Sequence, residues 1–187
     1  CKDDQSYQQN VADQTVIHLT LHTPVLQLPS TRATDPEEQL SEVEILVFTK
    51  TSTDIDYRFR YSVKGSNLHS PDASTAAFPA LLKTSPDPLK LILIANPEET
   101  VSNAYPAFGS TEAEVKRTLV RSIDDGNGFP VPITADLPMT GEYELPALGT
   151  EGAVIQLKML RAIARADVYN NDASGNFTLT SVQVFRL

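Results

Sequence analysis

Residues 15–21, Thr-Val-Ile-His-Leu-Thr-Leu, set Ile17, Leu19 and Leu21 on one parity and Val16, His18 and Thr20 on the other. Successive side chains leave a strand on opposite sides, so this alternation is that of a strand with one face on a core. Pro24 and Pro29 bracket Val25 to Leu28 just beyond it. They predict a kink and a place at a sheet edge, where a missing N–H is tolerated.

The same grammar recurs downstream. Residues 43–49 (Val-Glu-Ile-Leu-Val-Phe-Thr) read as a strand that is apolar on both faces. Tyr57, Phe59, Tyr61 and Val63 alternate with Arg58, Arg60 and Ser62, the cleanest period of two in the chain. Residues 89–95 (Leu-Lys-Leu-Ile-Leu-Ile-Ala) predict a central strand, ended by Asn96-Pro97. Residues 153–168 and 177–187 are strand-rich, with a turn over 170–176. In the last of these the apolar parity changes between Phe177, Leu179 and Val182, Val184, which predicts a bulge or a strand covered on both sides.

One segment predicts a helix. Thr111 and Glu114 form a capping box, Val115, Leu119 and Ile123 recur four apart, and residues 124–128 (Asp-Asp-Gly-Asn-Gly) stop the pattern. No repeat of about 20 to 50 residues occurs. Short strands with Pro-rich connections predict an all-β antiparallel sandwich of about seven strands with one short helix. Residues 1–14 are polar and read as a flexible tether, and 15–187 as a single domain.

Composition narrows the function. With 41% apolar and 21% charged residues, the 187-residue chain can bury a core. A net charge of -9 opposes both sequence-independent nucleic-acid binding and adsorption to anionic membranes. Apolar runs such as Leu91 to Ala95 fall far short of the roughly 20 residues that a membrane helix needs. The one cysteine, Cys1, excludes an internal disulfide and a four-cysteine zinc site. With no initiator Met and no signal-peptide apolar region ahead of it, Cys1 is expected to be the lipidated residue of a processed lipoprotein.

Catalytic constellations are sought and not found. His18 and His22 would sit about 13 Å apart on a strand, too far to share an ion. His69 is expected in a loop. Residues 170–175 resemble half of a calcium loop, but its twelfth position is Ser181 where a bidentate Glu is needed. The pairs Glu37-Glu38, Glu98-Glu99 and Asp124-Asp125 are adjacent in loops or helix ends, where solvated surface explains them. No nucleophile elbow, phosphate loop or dinucleotide fingerprint is present. The expectation is a protein that is not an enzyme and uses no cofactor or metal.

Several segments together resemble the amino-terminal domain of Bacteroidales fimbrillins, the subunits of type V pili. They are Cys1 with its tether, Thr31-Arg32-Ala33-Thr34 ahead of Val43 to Phe48, Leu91 to Pro97, Leu137-Pro138-Met139-Thr140-Gly141, and Leu157 to Val168. Lys2-Asp3-Asp4 also resembles the surface-export signal of lipoproteins from that order. The resemblance implies a transthyretin-like β-sandwich, a lipid anchor at Cys1, an outer-membrane and cell-surface location, and cleavage by an arginine-specific protease between Arg32 and Ala33. Cleavage would release the strand carrying Ile17, Leu19 and Leu21 and open a groove for a strand from another fimbrial subunit. The alternative is a surface lipoprotein that never polymerises and binds glycan or host protein through its loops. The family usually carries a second sandwich domain that donates the strand. A chain ending at Leu187 could accept a strand but offers no evident one to donate, as a fragment or a terminal subunit would. The adhesive ligand is not specified by the sequence.

Overall fold

The computed structural model describes residues 13–23, 40–65, 67–72, 74–97, 106–119 and 138–161. These residues form nine strands and one helix: β1 (Gln14–His22), β2 (Val43–Thr49), β3 (Arg58–Lys64), β4 (His69–Asp72), β5 (Thr75–Lys83), β6 (Leu89–Ala95), α1 (Glu112–Thr118), β7 (Met139–Leu145), β8 (Ala153–Lys158) and β9 (Leu160–Arg161). One sheet has the order β4-β5-β1-β8 and the other β3-β2-β6-β7-β9. The two face each other across a core that includes Ile17, Leu19 and Leu21 from the first sheet and Ile45, Val47, Leu91 and Leu93 from the second. The expected all-β sandwich is observed. Nine described strands stand where about seven were expected, and one pair, β1 with β8, is parallel.

The second sheet is buried on both faces. Leu46, Phe48, Phe59, Ile92 and Ile94 form a separate outer cluster, with Val115 of α1 laid over it. This is why β2 and β6 are apolar on both parities apart from Glu44, Thr49 and Lys90: strands covered on both sides have little solvent face to mark with polar residues. Helix α1 begins as expected, with the Thr111 hydroxyl accepting from the Glu114 N–H and the Glu114 carboxylate accepting from the Thr111 N–H. Leu119 is its C-cap. Ile123 and the predicted stop at 124–128 lie outside the described residues.

A charge cluster pins α1 to the sheet. The Lys90 ammonium meets Glu112 of α1 at 2.8 Å and Glu142 of β7 at 3.0 Å, while Lys116 bridges the same two carboxylates. Burial alone would push Lys90 down, but the two carboxylates outweigh it and leave the ammonium well above its usual range. Burial likewise opposes ionisation of Glu112 and Glu142, and the hydrogen bonds from Lys116 and Lys90 outweigh it, holding both below their ordinary values.

Strand β3 departs from its sequence pattern. Val47 lies opposite Tyr61, yet Phe48 lies opposite Phe59, so Arg60 is the extra residue of a β-bulge. Parity flips there. Phe59 joins the outer cluster, meeting Phe48 edge-on at 5.6 Å, whereas Tyr61 and Val63 pack on the main core. Strand β6 ends as predicted. Asn96 adopts φ 51°, outside strand geometry, and its side-chain oxygen accepts from the Ser41 amide and hydroxyl. His69, expected in a loop, instead opens β4, where it lies opposite Ala77. The segments 162–168 and 177–187, the 170–176 turn, and the expected parity change all fall outside the described residues.

Candidate functional site

Strand β1 is the element whose release the fimbrillin resemblance implies, and its setting decides what such a release would do. Every residue from Gln14 to His22 pairs with β5, antiparallel, and Ile17 to His22 pair with β8, parallel. The expected edge position is therefore corrected: β1 is an interior strand of its sheet. The physical reason is in the numbering. The prolines that suggested an edge come after His22, so both sides of the β1 ladder keep their N–H groups.

Ile17, Leu19 and Leu21 are 0%, 1% and 0% exposed, which places the three predicted residues together on the core face. His18 and His22 point to the exposed face, as the alternation implies. Leu19 lies between Phe78 of β5 and Ile155 of β8, both buried.

The ends of β1 are clamped. At its start the Asp13 carbonyl accepts from the Thr84 N–H at 2.8 Å, and the Thr15 hydroxyl donates to the Thr150 carbonyl at 2.9 Å. The turn before β8 passes so close that a Cβ on Gly152 would strike the Val16 carbonyl oxygen, and Gly152 has φ +75°. Only glycine accepts both conditions without strain. At the other end the His22 carbonyl accepts from the Met159 N–H and the Thr23 N–H donates to the Ser74 carbonyl, both at 2.8 Å. These clamps are not marked in the sequence beyond the turn-forming pair Glu151-Gly152, because backbone bonds carry no residue signature.

Cys1, Arg32 and Ala33, the predicted lipidation and processing positions, lie outside the described residues. The chain leaves β1 at His22 and enters β2 at Val43. The register of the two sheets puts both at the same end of the sandwich, opposite the Thr49, Lys83 and Leu89 end. Among the described residues, no group of three or more His, Cys, Asp or Glu side chains is placed to hold a metal ion.

No family model matches the sequence, and no curated protein matches it significantly. Several solved structures are similar in fold. A fimbrial assembly protein from Parabacteroides distasonis is 13% identical with a TM-score of 0.47, over 79% of this chain and 52% of that one. The tip fimbrial protein Mfa3 from Porphyromonas gingivalis, with a C-terminal truncation, is 17% identical with a TM-score of 0.48, over 79% and 48%. A putative cell adhesion protein from Bacteroides eggerthii is 16% identical with a TM-score of 0.47, over 80% and 40%. The chain thus spans about half the length, or less, of these proteins.

Proposed function

We propose that this chain is a fimbrial subunit at the cell surface, built into a polymer by exchange of its first strand. The observation that carries the reading is the position of β1, interior to its sheet and fully buried through Ile17, Leu19 and Leu21. Burying each of these side chains stabilises by about 1.5 to 3 kcal/mol. Their combined contribution is comparable with the roughly 5 to 15 kcal/mol that holds a whole domain together. Loss of β1 leaves β5 and β8 with unpaired edges on either side of an apolar slot. A strand from a second molecule satisfies both edges at once, which is β-augmentation into a gap rather than onto a rim.

The incoming strand has a defined direction. It must run antiparallel to β5 and parallel to β8, as β1 does. The proposal includes lipidation at Cys1 as the export anchor and cleavage between Arg32 and Ala33 as the trigger. Polar, turn-rich segments such as residues 30–36 are typical sites of nicking.

Limited digestion with an arginine-specific protease tests it. The proposal expects one early cut after Arg32, read by mass spectrometry, followed by oligomers on size-exclusion chromatography. A folded protein that is never cut there, or is cut and stays an unaltered monomer, would overturn it.

A further inference from the structure

The end of the sandwich away from the β1 exit carries a cleft of about 390 Å³, lined by Thr49, Arg60, Tyr61, Lys83, Asp87 and Phe108. Arg60 reaches it because of the bulge. As the unpaired extra residue of β3 its side chain is re-aimed off the regular ladder, a device common beside binding sites. The Arg60 Nε donates to the Thr49 hydroxyl at 2.6 Å, and the guanidinium lies 5.3 Å from the centre of the Phe108 ring. Its contact with Asp54 is long, 3.8 Å to an Oδ2 that also accepts from the amide and hydroxyl of Thr51. That pair engages Nη2 alone, and Nη1 has no carboxylate partner among the described residues, which leaves it for a second carboxylate.

Lys83 supplies a second cation. Its backbone N–H donates to the Tyr61 hydroxyl at 2.9 Å and its ammonium sits 5.6 Å from that ring, but it makes no ion pair with a carboxylate among the described residues. Phe108 is 74% exposed, so most of its ring surface faces water beyond the contact with Arg60. Thr84 and Ser85 complete the wall, the Thr84 hydroxyl donating to the Asp13 carbonyl and the Ser85 hydroxyl to the Asp87 carbonyl. An acidic chain whose open cleft holds two cations, the Asp87 carboxylate and an exposed ring lacks the basic surface for nucleic acid and the enclosed apolar lining for a lipid.

We infer that this cleft binds an acidic saccharide. A sugar carboxylate faces Arg60 and Lys83, the C–H face of the sugar ring lies on Phe108, and ring hydroxyls donate to the Asp87 carboxylate and the Thr84 hydroxyl oxygen. The cleft is at the opposite end from the β1 exit, beside the start of β1, where Lys83 lies opposite Gln14 and the Thr84 N–H donates to the Asp13 carbonyl.

Titration calorimetry of the intact chain tests the inference, with galacturonate, mannuronate and glucuronate oligomers as probes and their methyl esters as uncharged controls. The expected result is saturable binding of at least one acid form, weakened tenfold or more in its ester and in Arg60→Gln. Phe108→Ser should also weaken it while leaving the circular dichroism spectrum unchanged, since that ring is exposed. If none of the three acids binds, if acid and ester bind equally, or if both variants bind like the parent, the inference is wrong.

Discussion

Leu19 of β1 and Ile155 of β8 are register partners in the parallel ladder between these strands, and both side chains are fully buried. A strand held this way is an internal member of the core, and its removal costs both packing and backbone pairing on two sides. Leu19→Ala is expected to destabilise the protein by about 2 to 5 kcal/mol, the range for large-to-small core changes. Leu160→Ala, at a side chain that is 66% exposed, should change stability by no more than about 0.5 kcal/mol. Urea unfolding of the two variants separates them, and equal effects would contradict the packing described for β1.

Gly152 gives an independent handle on the same strand. A left-handed φ costs a non-glycine residue about 1 to 3 kcal/mol, and here the added Cβ also meets the Val16 carbonyl. Gly152→Ala should therefore lower the thermal midpoint and speed amide exchange along β1 before it affects β2 or β6. Gly109, also at positive φ but with open space around it, should tolerate Ala with only the conformational cost.

How much of this could be seen in the chain beforehand depended on whether a strand advertises its two faces. Strands β1, β2 and β6 were legible from alternation or from continuous apolar runs, and the Thr111–Glu114 capping box marked the start of α1. Strand β5 was not, because Pro79 and its alanines argue against a strand, yet Ala76, Phe78, Ala80 and Leu82 line the core. Strand β7 was hidden by Gly141, which is required because a Cβ there would strike Leu157 and come within 2.8 Å of the Met159 sulfur. The alternation of Tyr57 to Val63 was real, but it concealed the bulge at Arg60, which sends Phe59 to one face and Tyr61 to the other. Ile17, Leu19 and Leu21 share the buried face that their alternation implies, whereas the interior place of β1 left no local trace, since its pairing partners are distant in sequence.

The Lys90 cluster carries a pH signature. Glu112 and Glu142 are held below their ordinary value of 4.5, so their ion pairs stabilise the fold above that pH and are lost as pH falls through the lowered values. Lys90 is raised above its usual 10.5, so its contribution is complete below that pH and is lost only as pH rises beyond it. Lys90→Met should cost about 1 to 3 kcal/mol at neutral pH, between the values for exposed and buried pairs. The gap between parent and variant should stay level from about pH 5 to 10 and shrink below about pH 4.5. Thermal unfolding at stepped pH measures it, and a gap that persists into acid would refute the assignment.

The most direct measurement removes β1 and asks what the remainder does. A variant lacking residues 1–32 is refolded alone, with a synthetic peptide of residues 14–22, and with a scrambled peptide, and its size is followed by analytical ultracentrifugation. The account predicts self-association alone and with the scrambled peptide, and a one-to-one monomeric complex with the true one. A shortened chain that folds cooperatively as a monomer and ignores the peptide would contradict it.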